Sequence, residues 1–225
     1  MFAMPEADIG LFTDVGAGYF LPRCVNNEIC FGLYLALTGR RLYGKELVYW
    51  GLASHYVEDD KLEPLKQELI KTTTSTSTHD QIMAVINSFA TLGHDYPQTK
   101  SHPEKIQHAD YIRRVFKADS ILQILERVHA EAKSGDEMAV TTAKQISRGS
   151  PLAQATIVEQ MIRGSKMSLE NVLEMEFYLC NAMSRPHRAD FCEGIRALLI
   201  DKDHNPQWKH KSIHEVTKEE VDALF

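Results

Sequence analysis

"MPEADIGLFTDVGAGYF", residues 4–20, sets two acids, Glu6 and Asp14, eight positions apart across an apolar stretch punctuated by glycine. Met4-Pro5 forces an extended approach to Glu6, because the residue before a proline is kept out of helical geometry. Gly10 and the Gly16/Gly18 pair let the chain turn tightly between and after the acids. On a helix, eight residues would leave the two carboxylates about 80° apart around the axis, a poor convergence; a loop can aim both at one point. An acid flanked by Met4, Ile9, Leu11 and Phe12 is partly desolvated, which raises its pKa and suits it to base work. The residues alone leave a second reading open, in which Glu6 caps or pairs a neighbouring turn and Asp14 is the N-cap of a helix from Val15 to Leu21.

The chain of 225 residues is 44% hydrophobic and 25% charged, enough to bury a full core. Its formal net charge of -6 and its lack of a basic tract argue against nucleic acid and against membrane-surface attraction. No apolar run reaches the roughly 18 residues that would span a bilayer. Phe2 to Glu6 already reads as folded-protein sequence, with no signal or transit peptide. Four cysteines, Cys24, Cys30, Cys180 and Cys192, show no CxxC spacing and sit in apolar or amphipathic contexts. They read as buried, reduced thiols of a cytosolic or matrix-type compartment. The histidines His94, His102 and His108 lie in a polar region without HExxH, so exposed loop histidines are expected and no metal site.

"ICFGLYLALTG", 29–39, predicts a buried helix ending at a glycine cap, and "YGKELVYWG" a short helix stopped by glycine. "LASHYVED" is rich enough in β-formers for a short strand. "LEPLKQELIK" is amphipathic, and "TTTSTSTHD" is a polar loop whose Asp80 caps "QIMAVINSFATL". Residues 93–105 predict a surface loop. Beyond it everything reads as helix, with caps at Ser120, at Ser150-Pro151, at Ser168 and at Thr217. The domain organisation expected is an acid-bearing segment 1–92, a linker 93–118 and a helical region 119–225.

Several motifs fail. "VGAGYF" lacks the third glycine of a dinucleotide fingerprint. "DKDHNP", 201–206, imitates a calcium loop but has Pro206 and Ser212 where glycine and glutamate are needed. Neither a GxSxG elbow nor a GKS/GKT phosphate loop occurs.

"FAMPEADIGLFTDVGAGYFLPR" resembles the second active-site segment of the crotonase (enoyl-CoA hydratase/isomerase) superfamily: the acid Glu6 after Met-Pro, then Ile9-Gly10-Leu11, the Gly16/Gly18 pair and Leu21-Pro22-Arg23. Asp14, after Phe12-Thr13, points to its 3-hydroxyisobutyryl-CoA hydrolase branch. "LALTGRRLYGKELVYWGLASHYV", "SPLAQATIVEQMIRG", "SLENVLEMEFYL" and "FCEGIRALLIDKDHNPQWK" resemble later segments of that branch, so the likeness covers nearly the whole chain. Thr13, where proline is usual, and Ala17, where glycine is common, depart from the pattern.

The resemblance implies the C-terminal portion of an α/β crotonase-like fold, mostly α-helical with a few short strands near the N-terminus. It implies hydrolysis of a short 3-hydroxyacyl-CoA thioester, a step of valine breakdown, in the mitochondrial matrix of a eukaryote or otherwise the cytoplasm. No cofactor is implied; CoA is part of the substrate. Glu6 would be the catalytic carboxylate, as nucleophile or as general base, and Asp14 would bond the substrate's 3-hydroxyl or the catalytic water. Arg196, Lys202 and Lys209 are candidates for CoA phosphate contacts, against the alternative of solvated helix-face cations. The superfamily's two oxyanion-hole N–H groups belong to segments before the Glu6 motif. The chain is therefore expected to be inactive alone, and to self-associate or pair with the missing N-terminal half. A hydratase or isomerase of the same superfamily and a non-catalytic helical interaction module are the alternative readings.

Overall fold

The computed structural model describes residues 1–93, 101–185 and 189–225. Its helices of eight or more residues among these are α1 (Ile29–Thr38), α2 (Asp59–Thr72), α3 (His79–Phe89), α4 (Ala109–Phe116), α5 (Ile121–Lys133), α6 (Glu137–Ile146), α7 (Pro151–Gly164) and α8 (Leu169–Met183). The chain divides into two compact units: residues 42–107 with Met1, and residues 2–41 with 108–225.

The larger unit is built around α1. Phe31, Leu33, Leu35 and Ala36 are wholly buried, and Gly39 ends the helix in left-handed geometry (φ 61°). A helix apolar on every side must be covered on every side. Within this unit α4, α6 and α7 all pack against it, and Tyr34 meets Phe116 edge-on at 5.2 Å. The predicted caps at Ser120, Ser150, Ser168 and Thr217 are present, each accepting the backbone N–H three residues on. They satisfy donors that every helix start leaves open.

The linker expected over 93–118 is not a linker throughout. Residues 109–116 are helix α4, with Tyr111, Ile112, Val115 and Phe116 buried along one stripe. That stripe is what assigns α4 to the larger unit, in place of the expected division at 92 and 118. His94 lies outside the described residues; His108 is exposed and His102 half-buried beside Glu104.

In the smaller unit α2 and α3 pair. Thr78 caps α3 with a reciprocal box to Gln81, so the cap is Thr78 and not the expected Asp80. The short strand expected over 52–59 is a single antiparallel bridge, Tyr56 with Leu92. Helical turns on either side (Glu46–Tyr49 and α2) leave no extended neighbour to lengthen the ladder. All four cysteines are free, yet only Cys24 and Cys30 are buried; Cys180 and Cys192 are exposed, against expectation.

Candidate functional site

Glu6 opens a single 3-10 turn, Glu6–Ile9, that Gly10 closes in left-handed geometry (φ 71°). Four contacts from distant parts of the larger unit fix this turn. The Ser150 N–H donates to the Ala7 carbonyl at 3.0 Å, bringing the start of α7 beneath it. Arg148 pairs with Asp8 at 3.2 Å. A Cβ on Gly194 would lie 2.2 Å from the Ile9 carbonyl oxygen, and one on Gly10 would lie 2.7 Å from the Asp190 backbone, so these chains approach as only glycine allows. Buried Asp190 in turn accepts from Ser150 Oγ at 2.6 Å and from the Lys209 N–H at 2.8 Å. The segment 190–209 is thus the bed on which Glu6's turn rests.

Neighbours Met4, Leu11 and Phe12 are buried, and Glu6 Oε2 is itself buried without a hydrogen-bond partner among the described residues. Burial pushes the Glu6 pKa up to about 7; its own backbone hydrogen bond opposes this, and the charge of Asp14 adds to it. A carboxylate kept half-protonated near neutrality is matched to proton transfer at that pH.

Asp14 is half-buried and its side chain caps no helix. The helical turn Ala17–Phe20 has Gly16 (φ 82°) at its N-cap, so the helix expected to begin at Val15 starts two residues later. Val15 itself is left-handed (φ 54°) and 74% exposed. For a β-branched residue that conformation costs on the order of 1–3 kcal/mol and persists only where the surroundings impose it. They do so through Glu176 of α8, which is buried. Its carboxylate accepts the Gly16 N–H at 2.7 Å and the Gly18 N–H at 3.1 Å. Gln160 of α7 donates to the same carboxylate at 3.0 Å and to the Thr13 carbonyl at 2.6 Å, and accepts from Thr13 Oγ1 at 2.9 Å. Thr13, the departure from the family pattern, therefore has a use: its hydroxyl closes this network. Arg23 caps the end of α7 by donating to the carbonyls of Gly164, Ser165 and Met167.

The charge of Asp14 is the smallest of the three contributions to the raised pKa of Glu6. The three cations fare differently. Arg196 is held by Glu193, Asp201 and Asp203 at 2.6–2.7 Å, which drives its pKa further up. Those same aspartates belong to the rejected calcium-like loop, where they share one guanidinium. Lys209 pairs with Glu220. Lys202 is exposed, left-handed (φ 55°) and without an ion pair among the described residues. A cavity of about 320 Å³ opens over Leu122, Leu125, Ile146, Pro151 and Ile213, and neither Glu6 nor Asp14 lines it. Among the described residues no cluster of three His, Cys, Asp or Glu could hold a metal.

A match to enoyl-CoA hydratase/isomerase runs over residues 1–225. The chain belongs to the enoyl-CoA hydratase/isomerase family. Relatives include mitochondrial 3-hydroxyisobutyryl-CoA hydrolases of Gallus gallus (39% identical over 229 residues), Homo sapiens (37% over 229) and Dictyostelium discoideum (38% over 227). Each match uses 100% of this chain and 55%, 55% and 56% of the relative, so the chain spans about half the length of the proteins it matches. Among solved structures, a carnitinyl-CoA dehydratase from Mycobacterium thermoresistibile superposes with a TM-score of 0.79 at 30% identity, over 99% of this chain and 58% of that one. An enoyl-CoA hydratase from Rhodobacter sphaeroides 2.4.1 gives 0.75 at 29% identity, over 98% and 57%. The fold is the crotonase-like fold of the enoyl-CoA hydratase/isomerase family, in a predominantly helical portion.

Sequence reasoning missed Glu176, Gln160 and the role of Gly194. Glu176 carried a signal nonetheless: it falls at helical spacing with Val172, Met175, Leu179 and Met183, on the face that α8 buries. An acid on a core face needs partners.

Proposed function

We propose that residues 1–225 carry the catalytic acid and the hydroxyl-recognition acid of a 3-hydroxyacyl-CoA thioester hydrolase, acting on 3-hydroxyisobutyryl-CoA in valine catabolism, in the mitochondrial matrix if eukaryotic. The observation that carries this reading is Glu6: a half-buried carboxylate with one oxygen buried and unbonded, poised near pH 7 within the field of Asp14. Two routes use it. As base, Glu6 takes a proton from water as the water oxygen attacks the thioester carbonyl, and the CoA sulfur leaves and is protonated. As nucleophile, its oxygen attacks the carbonyl, CoA leaves, and water cleaves the resulting anhydride. Both need the ionised form, so the rate rises with pH through about 7, the value at which Glu6 loses its proton. A pH-rate profile flat from pH 5.5 to 8 contradicts this assignment.

Asp14 would accept a hydrogen bond from the substrate's 3-hydroxyl. A buried acceptor left unpaired is what rejects the analogue lacking that hydroxyl. Asp14→Asn is expected to slow the 3-hydroxyacyl-CoA by more than the matching plain acyl-CoA, read as the ratio of their kcat/KM values. Equal slowing of both substrates means that Asp14 serves the water or the fold. The same acyl-CoA panel separates hydrolysis from the hydratase or isomerase alternative. Lys202 is the cation that could meet a CoA phosphate without first giving up a carboxylate.

The 225-residue polypeptide assayed by itself is expected to be a poor thioesterase, because each missing oxyanion donor costs roughly 10²–10³-fold and the family's donors lie outside the Glu6 motif. Activity within about tenfold of a full-length protein carrying the same residues would remove this expectation.

A further inference from the structure

We infer that Glu176, locked by Gln160, is a positioning residue that sets the aim of Asp14 by clamping the Thr13–Gly18 turn from beneath. The inference rests on the reading of Asp14 given above and adds to it the machinery that makes Asp14 selective.

The two N–H groups that Glu176 holds, on Gly16 and Gly18, lie just after the strained residue Val15, which itself follows Asp14. Both oxygens of the carboxylate are used: Oε2 takes Gly16, while Oε1 takes Gly18 and the Gln160 amide. A carboxylate is an acceptor at both oxygens and bonds to backbone N–H groups more strongly than a neutral acceptor does. It therefore fixes two donors two residues apart, which dictates the backbone path between them. Gln160 prevents the carboxylate from turning, because its own amide is spanned by the Thr13 hydroxyl and carbonyl. Thr13 and Gly16 flank the Asp14–Val15 pair, so the clamp grips the turn on both sides of the functional acid. No slack remains on the α7 side either, where a Cβ on Gly164 would lie 2.2 Å from the Gly18 carbonyl oxygen. A buried acid that only stabilised two helices would have no need to reach past them to these amides. Burial raises the Glu176 pKa, and the bonds to the Gly16 and Gly18 N–H groups and to Gln160 oppose that rise.

The test is Glu176→Gln, which keeps shape and volume but replaces one acceptor oxygen by a donor that meets an N–H head-on. In the full-length protein it is expected to lower the kcat/KM ratio of 3-hydroxyacyl-CoA over plain acyl-CoA by about tenfold or more, mainly through KM for the hydroxylated substrate. The plain substrate should change little, a split that loss of fold alone does not produce. Amide hydrogen exchange on the 225-residue chain gives the second reading, independent of activity. Gly16 and Gly18 in Glu176→Gln should exchange at least about tenfold faster than in the parent, with core amides of α1 unchanged. An unaltered substrate ratio in Glu176→Gln, where Asp14→Asn has altered it, overturns the positioning role and leaves the Asp14 reading standing. An unaltered ratio in Asp14→Asn overturns the Asp14 reading instead; the clamp is then judged by the exchange rates, and unchanged protection at Gly16 and Gly18 overturns it too. Should Glu176→Gln fail to fold, Thr13→Val, which removes only the hydroxyl bond to Gln160, is expected to move the ratio in the same direction by a smaller factor. No shift in it refutes the clamp.

Discussion

Glu6→Gln in the full-length protein is expected to reduce thioester hydrolysis by 10²–10⁴-fold or more, the worth of a positioned base or nucleophile, while making the fold more stable at alkaline pH. The second effect follows from the same burial as the first. In the folded chain the Glu6 pKa is raised from 4.5 to about 7, so between these values the native state binds a proton that the unfolded chain has released. Stability therefore falls as pH rises through this window, and the full cost is present above about pH 7. A shift of this size, discounted for the part of the side chain that water screens, amounts to about 1–2 kcal/mol. Glutamine carries no charge to desolvate. Glu6→Gln should then melt a few degrees higher than the parent at pH 8, with most of the gap gone at pH 5. Activity and stability moving in opposite directions is the signature of a strained functional acid. An unchanged melting temperature at pH 8 together with near-normal turnover would show that Glu6 is an ordinary surface acid.

Gly194→Ala is expected to cost the fold heavily for a single added carbon. The added carbon would lie 2.2 Å from the Ile9 carbonyl oxygen and 2.4 Å from its carbon, both backbone atoms that no rotamer change can move aside. Either the helical turn Phe191–Ile195 or the Glu6 turn must shift. Overpacking of this kind destabilises by about 3 kcal/mol, or roughly 6–12 °C in melting temperature for a chain of this length. A displacement of about 1 Å at Glu6 further costs on the order of 10²-fold in rate. Gly135→Ala is the control: it is left-handed (φ 91°) but open to solvent, with nothing within 4 Å. It should lose only the backbone term of about 1–2 kcal/mol and leave turnover unaffected. Circular-dichroism melts of both variants decide the matter, and equal losses at 194 and 135 would mean that the close approach to Ile9 carries no weight.

Much of the architecture was legible because its causes are local. Each side-chain cap that the structure shows at Ser120, Ser150, Ser168 and Thr217 is a property of three or four consecutive residues. The helix 29–38 was legible because a run of apolar residues that ends in glycine has few other solutions. The misreadings are equally physical. A strand is a pairing, and the residues around Tyr56 find only Leu92 to pair with. Helix α4 was hidden because the prolines and polar residues just before it suggested a linker, while its apolar stripe spans barely two turns.

The sequence by itself pointed to Glu6 and Asp14 as the candidates for chemistry, to their glycine-bounded loop, and to the family that the match over residues 1–225 shows. It also determined the helices, through their caps and apolar stripes. The apolar neighbours of Glu6 in the sequence already pointed to its desolvation, and the tertiary structure decided how far it goes. The burial that lifts Glu6 towards neutrality comes from packing of the whole larger unit, and its turn rests on a glycine 188 positions further on. The same is true of the loop around Asp14, whose left-handed valine is sustained by Gln160 and Glu176, both more than 140 residues away. The tertiary structure also tied Arg196 and Lys209 to carboxylates, where the sequence showed only cations. Caps and stripes depend on neighbours in the chain, whereas desolvation, charge pairing and steric fit depend on neighbours in space, which the folded chain alone brings together.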